Sequence, residues 1–225
     1  MAHPVARAIV STLLFYAFTG ALVFAAAGRV GLPAVWAYLV LVTAVGVALI
    51  PILARRSPGL IEERMRPGPG ERDRASVPLL IAGLLAGWVV IGLDAGRFHW
   101  SGAIPPAVRV LAWLGVAAGY AIVVAAMLVN RFFSSAVRVQ GERAQVVVSS
   151  GPYAVVRHPG YAGGLLLLLS TGVALGSWWS LVPVLPVLPV LVRRTRMEDA
   201  MLHRELAGYA DYAARVRFRL LPGIW

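Results

Sequence analysis

The densest group of chemically capable side chains lies in a short stretch near position 155. Eleven residues hold Gly151, Pro152, Tyr153, Arg157, His158, Pro159 and Tyr161. Glycine and proline predict an irregular backbone here, and the Arg, His and two Tyr side chains supply hydrogen-bond donors. Further along, Arg194 and Glu198 are four residues apart, so a helix would place them on one face. The two groups together could bind a ligand that carries both acidic and basic groups.

The elements that must hold these residues are apolar helices. The chain has 225 residues, 59% hydrophobic and only 14% charged. Five stretches lack any charged side chain: Ala8 to Gly28, Val30 to Ala54, Ala75 to Leu93, Val110 to Asn130, and Pro159 to Val192. About 20 apolar residues cross a membrane as a helix, so the first four predict single spans. The fifth, with a break at Gly176 to Trp179, predicts a helical hairpin. We therefore predict an all-α polytopic membrane protein.

Charge placement predicts the orientation of these spans. The net charge is +11, and all 21 basic residues are Arg. Six of them lie between residues 55 and 74, so the positive-inside rule places this loop, residues 131–157 and the tail after 192 in the cytoplasm. Membrane lipids, and not nucleic acid, are the expected partners of such arginines. The absence of Lys, with much Ala, Arg, Val and Gly, indicates a GC-rich bacterial genome and hence a bacterial cytoplasmic membrane.

The chain divides into a predicted four-span scaffold, residues 1–130, and a predicted catalytic region, residues 131–225. The catalytic region comprises a cytoplasmic loop, the hairpin 159–192, and two short amphipathic helices within 197–217. Residues 55–74 predict an amphipathic element that folds against the active face. The absence of Cys excludes disulfides, thiolate metal sites and a Cys nucleophile, and no metal ligands are predicted.

Some residues have plainer interpretations. Gly83 with Gly87, and Gly115 with Gly119, have the four-residue spacing that lets helices approach closely. Asp94 lies at the predicted outer boundary, and Arg97 suggests a surface ion pair. Arg157 alone is equally compatible with a contact to lipid phosphates. The helix dipole would favour Glu198 in the first turn of a soluble helix.

Taken together, the motifs are recognisable. They are Gly151-Pro152-Tyr153-(x3)-Arg157-His158-Pro159-Gly160-Tyr161-Ala162-Gly163, then Arg194-(x3)-Glu198-Asp199-(x2)-Leu202, and finally Gly208-(x3)-Tyr212-(x2)-Arg215-Val216. This pattern resembles the isoprenylcysteine carboxyl methyltransferase family of integral membrane methyltransferases. The resemblance covers about the last hundred residues at the level of motifs, and the preceding spans only in hydropathy.

The resemblance implies methyl transfer from S-adenosylmethionine on the cytoplasmic face. The cofactor contacts that it implies are Gln140, Gln145, Val146, Val147, Val148, Tyr153, His158, Pro159, Gly160 and Tyr161. Arg194 and Glu198 would be catalytic residues that face the methyl acceptor. This chain departs from the family pattern at Gln145, where His is common, and at Asp199, where a second Glu is usual. The side chain of Asp199 is one methylene shorter, which leaves its role open.

The sequence leaves two alternatives to this function. A membrane reductase of the sterol reductase type would bind NADPH, although Gly164 stands where that family has Glu. A non-enzymatic protein could bind lipid or a partner through its Arg-rich face. The acceptor is also open: a carboxylate on a lipid-like thioether, a small thiol, a phospholipid amine or another amphiphile. An apolar acceptor that enters from the bilayer would fit a site beside the bent Pro183 to Pro189 arm, and the sequence does not indicate the oligomeric state.

Overall fold

Helices account for the regular structure of the chain. The computed structural model describes residues 2–225, with side chains from residue 4 onward. The eight helices are α1 (Ala2–Ala27), α2 (Pro33–Arg56), α3 (Pro58–Met65), α4 (Ser76–Ile91), α5 (Pro106–Val129), α6 (Pro159–Leu175), α7 (Val187–Glu205) and α8 (Tyr209–Arg215). A π-helical stretch, Gly92–Phe98, extends α4, and residues 2–225 contain no strand. The all-α prediction is confirmed.

Four helices are long and apolar enough to cross a membrane: Pro4–Ala27, Pro33–Arg56, Ser76–Phe98 and Pro106–Val129. They confirm the four predicted spans to within a few residues. Pro33 and Pro106 begin their helices because the first helical position needs no N–H partner and the proline ring presets φ. Large apolar side chains such as Leu14, Val40 and Leu111 point outward from the bundle, as contact with lipid requires. The chain is an integral membrane protein.

The close approach of α5 and α6 fixes the position of the helix that follows His158. A Cβ added at Gly119 would lie 2.9 Å from the carbonyl oxygen of Gly163, and one at Gly163 would lie 2.8 Å from that of Gly119. Two backbones can come this close only where neither residue carries a side chain. The packing role predicted for Gly115 and Gly119 is therefore confirmed, whereas a Cβ at Gly87 would meet nothing within 4 Å.

The last apolar stretch does turn back on itself, but its second arm differs from the prediction. α6 ends at Leu175, and the capping residue Gly176 adopts a left-handed conformation with φ of 102°. A 3-10 helix, Trp179–Val184, follows, and α7 then continues without interruption to Glu205. The predicted boundary at residue 192 is wrong as a helix boundary. Pro189 does not break α7 because it lies in the first turn, where no intrahelical N–H donor is required.

Asp94 corrects another expectation. Its side chain is fully buried and does not form a surface pair with Arg97. The carboxylate accepts hydrogen bonds from the Ser101 backbone N–H at 2.8 Å, from the Ser177 hydroxyl at 2.6 Å, and from the Ser101 hydroxyl. The π-helical stretch turns this carboxylate inward, where it connects α4 to the turn after α6.

Three segments meet at one end of the bundle, which we call the site end: residues 57–75, 131–158 and 193–225. Arg193 pairs with Asp73 at 2.7 Å, which joins α7 to the first segment. Arg138 pairs with Glu63 at 2.7 Å, which joins the second segment to α3. The prediction that residues 55–74 contain a helical element is confirmed by α3, and the Arg138–Glu63 pair holds that helix against the segment 131–158.

Candidate active site

The site end contains a cavity of about 430 Å³ between the segment 130–148, the start of α6, and α7. Nine of the ten residues predicted to contact a cofactor line it: Gln140, Gln145, Val146, Val147, Val148, Tyr153, His158, Gly160 and Tyr161. Both predicted catalytic residues, Arg194 and Glu198, also line it, while Pro159 is buried beside it and is not part of the wall. The fold thus brings together residues 140–161 and residues 194–198, which are 33 positions apart in the sequence. The binding and catalytic roles themselves remain predictions.

Pro159 explains why His158 and Tyr161 face this cavity together. It occupies the first helical position of α6, and His158 is the residue immediately before the helix. The His158 carbonyl accepts the backbone N–H groups of Tyr161 and Ala162, both at 3.1 Å. One helical turn therefore separates the two rings, which lie nearly parallel with their centroids 5.9 Å apart. Pro159 therefore acts by starting α6, which sets the backbone positions of His158 and Tyr161.

A single phenol connects the two predicted catalytic side chains. The Tyr161 hydroxyl donates to Glu198 Oε2 at 2.6 Å and accepts from Arg194 Nε at 3.0 Å. Arg194 and Glu198 are one turn apart on α7, so both reach the same hydroxyl. Glu198 keeps 26% of its side chain exposed toward the cavity, and the nearest His158 nitrogen, Nδ1, is 3.9 Å from Glu198 Oε1. A carboxylate is thereby presented to any ligand in the cavity.

Arg194 is held firmly on its other side. Its guanidinium is buried and donates to the carboxylate and the backbone carbonyl of Asp73, both at 3.4 Å, and to the Ser135 carbonyl at 2.5 Å. Hydrogen bonds from Ser76 and Arg193 hold the pKa of Asp73 below its usual value, although burial opposes this. Asp73 therefore stays ionised beneath Arg194. No local pattern indicates this pairing, because 121 residues separate the partners.

Asp199 turns away from the cavity and organises the wall behind it. The buried carboxylate accepts Arg157 Nε at 2.8 Å and Nη2 at 2.9 Å, Arg219 Nε at 2.8 Å and the Tyr209 hydroxyl at 2.9 Å. His158 Nε2 lies 3.3 Å away. Burial opposes ionisation, but the hydrogen bonds from His158, Arg157 and Arg219 hold the pKa of Asp199 well below its usual range. Asp199 is a positioning residue, which the sequence had left open.

The C-terminal tail closes the same wall. The backbone N–H groups of Arg157 and His158 donate to the carbonyls of Phe218 and Arg219, both at 2.9 Å. Arg157 Nη1 also donates to the carbonyls of Val216 and Arg217, at 2.9 and 3.0 Å. Arg157 is therefore committed to the protein interior, and the alternative that it contacts lipid phosphates is wrong.

The segment before Tyr153 is held by its own glutamines. Gln140 is almost fully buried, donates from Nε2 to the Phe132 carbonyl at 2.7 Å and accepts from Arg143. The Gln145 side chain accepts the Gln140 backbone N–H at 2.7 Å. Both amides stabilise this loop, and the Gln145 backbone N–H donates to the Gln140 carbonyl at 3.3 Å.

Several lining residues were missed in the sequence. The Asn130 side chain donates to the Tyr153 hydroxyl at 2.9 Å, and burial raises the pKa of that phenol. Arg138 is buried against Glu63, whose pKa is lowered by Arg138 and Ser134 even though burial opposes this. No local motif marks these residues, because each depends on a partner in another segment.

One wall of the cavity is apolar and belongs to α4; we call this wall the mouth. Val77, Leu80 and Ile81 line it together with Phe133 and Gly160. Val77 and Ile81 are exposed on the outside of the bundle. The predicted location beside the bent Pro183 to Pro189 arm is wrong, because no residue of that arm lines the cavity. The arm packs against α4, where a Cβ added at Gly83 would meet Val187 and the Pro183 carbonyl.

Residues 107–207, from α5 to the end of α7, match the family model of the phospholipid methyltransferases. That family and the isoprenylcysteine carboxyl methyltransferases belong to one superfamily of integral membrane methyltransferases, which confirms the resemblance seen in the sequence. The match includes every predicted site residue. No curated protein matches the chain.

Proposed function

We propose that this protein transfers a methyl group from S-adenosylmethionine to a lipophilic acceptor that enters its cavity from the membrane. One observation carries the proposal: the carboxylate of Glu198, the phenol of Tyr161 and the guanidinium of Arg194 form one hydrogen-bonded group on the cavity wall. The family match to residues 107–207 supports methyl transfer as the chemistry.

The lining residues fit the cofactor chemically. S-adenosylmethionine carries an amine, a carboxylate, a sulfonium and an adenosine. Glu198 offers acceptors for the amine, and the backbone of residues 146–148 would offer donors and acceptors to the polar groups. Phe132 and Tyr153 supply aromatic surface. The volume of about 430 Å³ lies within the roughly 300–1,000 Å³ range of small-molecule sites.

When bound, the cofactor supplies an electrophilic methyl group on a positively charged sulfur. Displacement at such a carbon needs alignment and exclusion of water more than covalent help. The contacts with Asp73 and Ser135 hold Arg194 in place. Tyr161 accepts a hydrogen bond from Arg194 and in turn holds the Glu198 carboxylate in position. Glu198 is also the group placed to accept a proton if the acceptor must lose one.

The apolar mouth supports a lipophilic acceptor. Val77, Leu80 and Ile81 would contact a hydrocarbon chain while its reactive group reached Arg194. A carboxylate, a thiol and an amine each remain compatible with this arrangement. The acceptor is therefore best identified by experiment.

The test incubates the full chain, in vesicles made from a bacterial lipid extract, with methyl-labelled S-adenosylmethionine, and identifies the labelled product by mass spectrometry. We expect Glu198→Gln and Arg194→Lys to lower the rate about 100-fold or more, the scale of a lost proton-transfer or orienting group. Arg204→Lys, on the exposed end of the same helix, should leave the rate unchanged. Unchanged rates in both site variants would refute the assignment, and NADPH consumption without methyl transfer would favour a reductase.

A further inference from the structure

A second large cavity lies on the membrane-facing side of the bundle. It has a volume of about 570 Å³ and is formed by α1, α2 and α5, with α3 at one end. Its walls run from Ala8 to Tyr16 on α1, from Val45 to Leu53 on α2, and from Tyr120 to Met127 on α5. Apolar side chains dominate these walls. We call this cavity the groove.

The groove has the dimensions of one lipid chain in one leaflet. Ala8 and Tyr16 are eight residues apart, which is about 12 Å along a helix that rises 1.5 Å per residue. One leaflet contributes about half of a hydrocarbon core of roughly 30 Å. The deep end is closed by the hydroxyls of Tyr16 and Tyr120, which are 2.9 Å apart. A hydrocarbon chain entering from the site end would therefore stop near the bilayer centre.

A cation stands at the shallow end. Arg64, on α3, lines both the groove and the cavity described above. Its guanidinium lies 5.4 Å from the centroid of the Phe133 ring, and that ring covers Gly160, where an added Cβ would lie 2.6 Å from Phe133 Cε2. Among the side chains described, residues 4–225, Arg64 has no carboxylate within 4.0 Å and no hydrogen bond. An apolar groove that ends in an unpaired cation is complementary to an anionic amphiphile.

We propose that the groove binds one chain of an anionic phospholipid whose net negative head group pairs with Arg64; in phosphatidylcholine the choline cation already balances the phosphate. The head group of the bound lipid then lies at the wall shared with the candidate active site, separated from Gly160 by the Phe133 ring. Lipid binding requires no methyl donor, so this proposal can fail while the proposed methyl transfer stands, and the reverse also holds.

The test reconstitutes the full chain in phosphatidylcholine vesicles that contain a small fraction of phosphatidylglycerol with a diazirine in one acyl chain. After irradiation, mass spectrometry locates the labelled residues. We expect labels on the groove walls, at residues such as Thr12, Val45 and Val124. Arg64→Gln should lower this labelling about fivefold, the effect of one arginine near an anionic surface. Arg66→Gln is the matched control, because Arg66 lies on neither cavity and should not change it.

Two further variants guard against a general loss of structure. Arg64→Lys keeps the charge and should keep most of the labelling. Gly46→Leu should block the groove, because even a Cβ at Gly46 would lie 3.1 Å from Thr12 Cγ2. Equal labelling of wild type and Arg64→Gln would overturn the proposal. So would equal labelling by a diazirine phosphatidylcholine, which would indicate contact with bulk lipid only.

Discussion

Replacing Asp199 by Asn should be the most destabilising polar substitution at the site end. The carboxylate is 2% exposed and accepts two hydrogen bonds from Arg157, whose side chain is 5% exposed. Removing one member of a buried ion pair costs about 3–5 kcal/mol, because it leaves the other charge uncompensated. Arg219 is 34% exposed and should add at most about 1 kcal/mol. The expected loss is therefore about 3–5 kcal/mol in the free energy of unfolding.

The assay is urea unfolding of the full chain in mild detergent, followed by tryptophan fluorescence. Asp211→Asn is the matched control. Asp211 is exposed in the first turn of α8, where a carboxylate contributes under about 1 kcal/mol through the helix dipole. If Asp199→Asn lost no more than this control, the role of Asp199 as a buried hub would be refuted.

The same substitution has a pH signature. The pKa of Asp199 in the folded protein lies below its ordinary value of 3.8, so its contribution to stability is present above about pH 4. It is lost as the pH falls toward the folded pKa, where the carboxylate becomes protonated. Below about pH 4, the free energy of unfolding of the wild type should therefore fall more steeply with decreasing pH than that of Asp199→Asn. If the free energy of unfolding fell equally with pH in both proteins below about pH 4, the lowered pKa of Asp199 would be contradicted.

Three further outcomes are expected. Gly163→Ala should cost about 1–3 kcal/mol by overpacking, since its Cβ would lie 2.8 Å from the Gly119 carbonyl oxygen. A Cβ at Gly164 would meet nothing within 4 Å, so Gly164→Ala should not destabilise the protein, and urea unfolding compares the two variants. Tyr161→Phe removes a hydroxyl bonded to two charged groups, so kcat should fall about 10- to 100-fold in the labelled-methyl assay. Glu63→Gln should lower stability by about 1–3 kcal/mol in thermal unfolding, and Glu62→Gln, its exposed neighbour, should not.

The sequence predicts the spans well because hydropathy acts locally. Uncharged stretches locate the four spanning helices to within a few residues, and Gly119 marks a close helix crossing. The sequence also places His158, Tyr161, Arg194 and Glu198 together, since their spacing belongs to a recognisable pattern. These inferences need only neighbours in the chain or a known motif.

Contacts between distant segments could not be predicted. The sequence predicts an exposed Asp94, because its partner Ser177 is 83 residues away and no local pattern connects the two. The anchoring of Arg194 by Asp73 and of Arg138 by Glu63 likewise depends on how residues 57–75 fold back onto the site end. The apolar mouth was placed on the wrong helix, because three prolines suggested a bent cavity wall, whereas the residues around Pro183 and Val187 pack against Gly83 on α4.

Direct cofactor binding tests the central claim most simply. S-adenosylmethionine is titrated by calorimetry into the purified full chain in detergent, with NADPH titrated in parallel. The account predicts saturable binding of S-adenosylmethionine, weakened at least about tenfold in Glu198→Ala by the loss of a charged hydrogen bond, and no comparable binding of NADPH. Saturable binding of NADPH without binding of S-adenosylmethionine would contradict it.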